Sequence, residues 1–482
     1  CITNFMSDNL KRKTINGLMW NTINNLTTRG INFALGLLLA RLLSPDDYGL
    51  IAMITVFTAI LSVFIDSGMS NALVRKSNRT EADYSTVFYF NLAVSCFIYI
   101  IMFIAAPFIA DFYSMPQLTL LTRVLTIGIV FGALGGIQGT VMNINLDFKT
   151  PAKISVFTML VSGMTGIFFA FCGYGVWALV IQSLTATVLS TLGKIYFVRW
   201  WPRAPFSKES FKDLFGFSSK LLASWLISSI YENMYTMVIG KFFSASQLGL
   251  YSRAQSLAQF PSSNATGVLQ SVTYPVLSKL QNDDLRLANN YRKMLRLSAY
   301  IIFPLMIGLA FVSDAFIRFV LTDKWIGSIG YLQIICFAFM WYPLHAINLN
   351  LLQVKGRSDL FLRLEIIKRV LGVFTLCITI PLGLTVMCYG SVVMSFVALF
   401  INTYYTGKLI HVGFLKQLSD LFPILINCII MGGVCYLVQL PFEHHGVRLL
   451  LAIVTGVIYY LGSSFIGRSN ELSEVLELIK QK

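Results

Sequence analysis

Apolar runs of about 20 residues, the length that crosses a bilayer as a helix, follow one another along almost the whole chain with short polar breaks between them. Backbone inside lipid has no water to bond, so such runs must satisfy their N–H and C=O groups internally, as helices. Composition agrees: the 482 residues are 56% hydrophobic and 12% charged, and the mean hydropathy of +0.70 lies outside the soluble range. The sequence predicts an all-α integral membrane protein of about 14 spans, placed at 16–42, 48–74, 85–110, 119–142, 152–173, 175–198, 215–241, 247–275, 291–318, 328–353, 359–382, 386–410, 420–440 and 446–466.

The chain is written twice. Arg41-Leu-Leu-Ser-Pro-Asp-Asp-Tyr-Gly-Leu-Ile51 returns as Lys241-Phe-Phe-Ser-Ala-Ser-Gln-Leu-Gly-Leu-Tyr251. In both copies a basic residue closes a long apolar helix, a short polar turn follows, and a Gly-Leu pair opens the next helix. The implied domains are an N-lobe of six helices (1–198), a cytoplasmic connector (199–214), a C-lobe of six helices (215–410), and two appended helices with a cytoplasmic tail (411–482).

Sorting the 37 Lys and Arg residues onto the two faces of this arrangement puts 27 on one face and six on the other, with Arg29, Lys220, Arg253 and Arg296 inside the spans. The positive-inside rule makes the richer face, which carries both termini, cytoplasmic. Basic residues confined to short loops answer to membrane topology, so the net charge of +15 gives no reason to expect nucleic acid. Met6 reads as a natural start, with Cys1 to Phe5 an upstream extension, and no cleavable signal peptide is expected. The cysteines, spread through apolar runs without metal-like spacing, read as small core residues.

Charge inside the spans is the most informative local signal, because each ionised group at mid-bilayer costs roughly 2.5–3.5 kcal/mol on the lenient insertion scale. Arg29, Asp66, Glu232 and Arg253 fall on the two helix pairs that flank the repeated turn. Polar neighbours accompany them: Trp20 and Asn25 near Arg29, Tyr231 and Tyr235 beside Glu232, Gln255 and Asn264 after Arg253. Two readings stand. Either these groups line a hydrated cavity between the lobes, with Arg29 facing Arg253, or Arg29–Asp66 and Arg253–Glu232 are ion pairs that only tie helices together. Lys220 and Arg296 lie close enough to the cytoplasmic ends to snorkel. Pro261, Pro304 and Pro343 interrupt spans.

His345 reads as a satisfied interior histidine in preference to a proton relay. Asp283-Asp284 reads as a solvated loop, and the helical pattern near 470–479 as a solvated tail at the cytoplasmic surface. No Walker loop, GxSxG, HExxH or Cys-x-x-Cys is present, so the chain is expected to be no enzyme and to hold no metal or cofactor. Any transport would draw on a gradient, with Na+ or H+ as the coupling ion.

Gly173-Tyr-Gly-Val-Trp-Ala-Leu-Val180, Gly249-Leu-Tyr-Ser-Arg253, Tyr274-Pro-Val-Leu-Ser-Lys-Leu280 and Lys355-Gly-Arg-Ser-Asp359 together resemble the Wzx-type lipopolysaccharide and exopolysaccharide flippases of the multidrug/oligosaccharidyl-lipid/polysaccharide (MOP) exporter superfamily, from about Leu10 to Ile466. The resemblance implies a MATE/MOP-like fold of two six-helix lobes with two extra helices. It also implies movement of an undecaprenyl-diphosphate-linked oligosaccharide from the cytoplasmic to the periplasmic leaflet of a bacterial inner membrane, by alternating access. Arg29 and Arg253 stand on the helices whose arginines contact the diphosphate in related flippases. Asn25, Trp20, Tyr231, Tyr235, Gln255 and Asn264 would contact sugars, and Asp66 and Glu232 would balance charge or couple an ion. Expected partners are the lipid-linked oligosaccharide, membrane lipids, and a polymerase and glycosyltransferases of the same pathway; the chain is expected to be a monomer. Two rivals are a cation-coupled multidrug exporter of the same superfamily and a membrane-embedded glycan polymerase or glycosyltransferase.

Overall fold

The computed structural model describes residues 27–66 and 68–474. Its helices run in order: α1 (27–42), α2 (Pro45–Asp66), α3 (Met69–Arg75), α4 (Glu81–Tyr113), α5 (Leu118–Leu125), α6 (Ile127–Leu134), α7 (Gly136–Ile144), α8 (Lys149–Phe171), α9 (Val176–Val198), α10 (Lys208–Phe242), α11 (Ala245–Lys279), α12 (Asp284–Phe316), α13 (Ser328–Phe339), α14 (Tyr342–Val354), α15 (Ser358–Thr379), α16 (Leu384–Ile410), α17 (Phe414–Gln439) and α18 (His445–Ile466). Ten runs among the described residues are long and apolar enough to cross a membrane. Three long helices fall short of that measure, α10, α11 and α15, and each carries polar or charged groups along its length. α10 begins at Lys208, inside the stretch expected as connector. Contacts divide the chain into two compact units that part between Gly249 and Leu250.

The repeated turn folds alike in both copies. α1 and α2 are separated by Leu43 and Ser44, α10 and α11 by Phe243 and Ser244. In the first, Ser44 N–H donates to Asp47 Oδ2 (2.9 Å) and Asp47 N–H donates to Ser44 Oγ (3.3 Å). In the second, Ser244 N–H donates to Gln247 Oε1 (3.4 Å) and Gln247 N–H to Ser244 Oγ (3.2 Å). These are two capping boxes, each satisfying a pair of backbone donors at a helix start. The glycines one turn further on explain themselves by crowding. A Cβ on Gly49 would lie 1.9 Å from the Ala245 carbonyl oxygen, and one on Gly249 would lie 1.8 Å from that of Pro45. Each glycine therefore presses on the residue four before the other, a reciprocal crossing that only hydrogen side chains permit. Lys241, the basic residue that closes the helix in the second copy, donates to the Phe112 carbonyl and lies 4.6 Å from that ring's centre.

Within the first unit, α8 and α9 pack along their lengths. Small residues allow it: a Cβ on Gly166 would touch the Gln182 stem at 3.0 Å, and one on Gly193 would touch Ile154 at 2.9 Å. Lipid offers no hydrophobic drive between helices, so such close backbone approach is what holds them. Gly173 (φ 80°) and Gly175 (φ 52°) shape the turn between the two helices, which explains both glycines of Gly173-Tyr-Gly. At the start of α4 Asp83 is fully buried and takes Lys76 at 2.9 Å. Hydrogen bonding to Asp83 raises the Lys76 ammonium above its ordinary pKa.

In the second unit the last two helices are more than an appendage, for α17 and α18 pack along α12. Arg292 grips Asp420 with two bonds of 2.7 and 2.6 Å, Tyr460 donates to the Tyr300 carbonyl at 2.8 Å, and Arg448 reaches Asp314 at 3.1 Å. Residues 470–474 are helical. They are not the solvated tail expected, since Glu474 pairs with Lys293 at 2.9 Å and Glu471 with Arg296 at 3.5 Å. Arg296 therefore has a carboxylate partner where snorkelling alone was expected. Asp283 caps α12, and Asp284 takes Lys355 at 2.5 Å. Pro343 sits in the first turn of α14, just past a break in the tenth predicted span.

Candidate functional site

Trp20, Asn25 and the side chains of Asp66 and Lys220 lie outside what the structure describes, and so does the Arg29–Asp66 pairing considered above. Arg29 is exposed on α1. On α10, Tyr231 and Tyr235 are half-buried and Glu232 is exposed, so its carboxylate points out of the packed interior of the first unit. In the second unit Arg253 is buried among the first turns of α11, beside Ala254 and one turn from Leu257. Gln255 and Asn264 are half-buried. Asn264 turns back to the Phe260 carbonyl (2.8 Å), whereas Ser262, next to Pro261, leaves its helix to donate to the Phe339 carbonyl (2.8 Å). The structure thus places Arg29, Tyr231, Tyr235 and Glu232 in the first unit and Arg253, Gln255 and Asn264 in the second.

The first unit also holds a polar pocket of about 510 Å³ that the reading of the spans by their charges passed over. α1 contributes Thr28 and Asn32; α8 contributes Ser155, Thr158 and Ser162; α9 contributes Gln182, Ser183, Thr187, Ser190, Thr191 and Lys194. The signal was in the spacing. Residues 155, 158 and 162 share one helix face, as do 183, 187, 190, 191 and 194, since neighbours three or four apart stack on a helix surface. Some hydroxyls are already engaged: Thr191 donates to the Phe131 carbonyl (2.9 Å) and Thr187 to that of Ser183 (3.0 Å). Thr158 is not, for its Oγ1 is buried without a hydrogen-bond partner.

The second unit treats its polar groups differently. Asn402 Nδ2 meets His345 Nδ1 at 3.3 Å, and His345 Nε2 meets Ser395 Oγ at 3.2 Å. An amide N–H can only donate, so Nδ1 accepts and the ring proton sits on Nε2, which donates to Ser395; Ser395 then donates to the Ala338 carbonyl (3.0 Å). One turn further along α14, Asn348, Thr406, Gln417 and Tyr291 close a second buried network, with side-chain bonds of 3.1–3.3 Å. His345 is the satisfied interior histidine expected.

A two-unit helical membrane protein with a duplicated helix pair has counterparts among solved structures. Solved structures agree on the fold: the lipid II flippase MurJ in an inward closed conformation (TM-score 0.75, 18% identity, 93% of this chain and 99% of that one) and an inward-facing multidrug resistance MATE family transporter of the MOP superfamily (TM-score 0.60, 16% identity, 80% and 98%). The chain belongs to the polysaccharide biosynthesis protein family, whose profile matches residues 38–330. Similar relatives are the teichuronic acid biosynthesis protein TuaB of Bacillus subtilis, 25% identical over 94% of this chain and 95% of that protein, and the lipopolysaccharide biosynthesis protein WzxC of Escherichia coli, 25% identical over 74% and 73%. Another is the succinoglycan biosynthesis transport protein ExoT of Rhizobium meliloti, 22% identical over 66% and 65%. The protein is a multi-pass membrane protein of this family.

Proposed function

We propose that the chain is a flippase that carries an undecaprenyl-diphosphate-linked oligosaccharide, a repeat unit of a cell-surface polysaccharide, from the cytoplasmic to the periplasmic leaflet of a bacterial cytoplasmic membrane. The observation that carries this reading is the match of residues 38–330 to a polysaccharide biosynthesis family on a transporter fold. Both termini are cytoplasmic, the protein acts as a monomer, and a polymerase and glycosyltransferases of the same pathway supply and consume its substrate. Arg29 and Arg253 bind the diphosphate, whose two negative charges and many acceptor oxygens suit guanidinium forks. Trp20, Asn25, Tyr231, Tyr235, Gln255 and Asn264 contact sugars by stacking and hydrogen bonds. Asp66 and Glu232 balance the arginines or exchange Na+ or H+ during the alternating-access cycle.

Loss of a charge-assisted hydrogen bond costs about 1.5–3 kcal/mol, and each 1.4 kcal/mol is about tenfold. Arg29→Ala with Arg253→Ala should therefore cut surface glycan export well over tenfold and pile up the lipid-linked intermediate inside the cell. Unchanged glycan and intermediate levels in cells expressing the double variant at normal amounts would end this reading.

A further inference from the structure

We propose that the pocket enclosed by α1, α8 and α9 binds an anionic, polyhydroxylated group, the chemistry of a sugar that carries a carboxylate, with Lys194 as the counter-charge. Taking that group to be part of the transported glycan rests on the reading above; the binding chemistry does not.

Three observations converge. Among the described residues the lining has one cation, Lys194, and no carboxylate, and Lys194 forms no ion pair there. Lys194 lies four residues before the end of α9 and is half-buried; an ammonium drawn partly out of water without a counter-ion is costly, and an arriving anion would relieve that cost. Hydroxyls and the amides of Asn32 and Gln182 supply most of the rest of the wall, and each presents both donor and acceptor capacity, the complement of a ring of sugar hydroxyls. Thr158 Oγ1, 6% exposed by residue and unpartnered, is a polar atom held ready at the wall, a rarity in packed interiors. The volume, about 510 Å³, falls in the usual range of small-ligand sites, roughly 300–1,000 Å³. A cation site is excluded by the same lining, for an inorganic cation would face Lys194 with no carboxylate to offset it.

α7 ends at a left-handed residue, Leu146 (φ 54°), and α14 at Gly356 (φ 67°). Counted back equally from these, Gly135 matches His345. Gly175 and Gly383, both at positive φ, open α9 and α16; counted forward equally, Thr187 matches Ser395 and Lys194 matches Asn402. In the second copy the imidazole bridges Ser395 and Asn402. In the first, Thr191 lies against Gly135, 3.2 Å from where a Cβ would stand, and the matching residues Thr187 and Lys194 line the pocket.

The test uses the full chain in nanodiscs of phosphatidylethanolamine and phosphatidylglycerol, titrated with glucuronate, glucose and inorganic pyrophosphate and followed by saturation-transfer NMR. Glucuronate is expected to bind at least tenfold more tightly than glucose. Lys194→Met should remove that preference while leaving glucose affinity within twofold, and Lys194→Arg should keep it. Should Lys194→Met fail to fold, Lys194→Gln carries the same comparison. Pyrophosphate binding with the same Lys194 dependence while glucuronate stays inert would overturn the carboxylated-sugar assignment and give the site to the carrier's diphosphate. Equal binding of glucuronate and glucose, binding of none of the three, or a preference that survives Lys194→Met would overturn the proposal. Those results would leave the flippase reading intact, since that reading stands or falls on export by the Arg29 and Arg253 variants.

Discussion

Helices α9 and α16 open in the same way, each after a glycine at positive φ, yet one lines a polar pocket and the other has its polar groups bonded to a neighbour's imidazole. The two copies agree equally well at the Ser44 and Ser244 turns, where capping box and glycine crossing recur. Duplication has preserved what sets backbone geometry and released what fills space between helices. Caps and crossing glycines are fixed by backbone donors and carbonyls, which any helix pair of this build must satisfy. Polar side chains on an inner helix face are under no such demand.

The largest effects are expected where the copies are most alike. An added methyl at Gly49 or Gly249 would stand 1.9 or 1.8 Å from a backbone oxygen, a clash that no side-chain rotation relieves. Gly49→Ala and Gly249→Ala should each cost more than about 3 kcal/mol, at the severe end of single substitutions, and by similar amounts. Thermal unfolding of the purified variants and surface-glycan export check this. Tolerance of one substitution but not the other would show that the crossing is not reciprocal in its energetics.

Between the unlike regions the expected effects have opposite sign. His345→Ala strands Ser395 and Asn402 and opens a cavity, at about 3 kcal/mol from lost hydrogen bonds and lost packing. Thr158→Val removes a buried hydroxyl that has no partner, so stability should stay level or rise by up to about 1 kcal/mol. Melting temperatures in one detergent compare the two directly. If Thr158→Val destabilised as much as His345→Ala, the first-copy pocket would be a structural network like the second.

How much of this was legible in the sequence follows the same division. The apolar runs and the repeated turn were readable because helix length, the serine caps and the glycines act locally, through backbone geometry. The Gly173-Tyr-Gly motif was visible, and its two positive-φ turns supply the reason. The pocket was missed because serine and threonine are common in membrane helices and attract less notice than charge; Lys194 was counted only as a cytoplasmic marker. The pairing of Glu471 and Glu474 with α12 was missed because a short acidic helix looks the same whether it is solvated or docked. Nothing in one strand of sequence tells which distant cation it will meet.

The smallest effect separates the turns themselves. Ser44 Oγ donates to the Asp47 carboxylate at 2.7 Å and its N–H does so at 2.9 Å, whereas Ser244 and Gln247 exchange neutral bonds of 3.2 and 3.4 Å. Charge-assisted bonds are shorter and about twice as strong as neutral ones, and α2 further gains from having Asp46 and Asp47 in its first turn, at the positive end of its dipole. Ser44→Ala should therefore cost about 1–2 kcal/mol and Ser244→Ala about 0.5–1 kcal/mol, within the span seen for lost N-caps. Asp47→Gln, which gives the first turn the second turn's chemistry, should bring the Ser44→Ala penalty down to that of Ser244→Ala. A double-mutant cycle over Ser44 and Asp47 measures this, and a coupling that survives the Gln substitution undiminished would mean that the carboxylate is not what distinguishes the two caps.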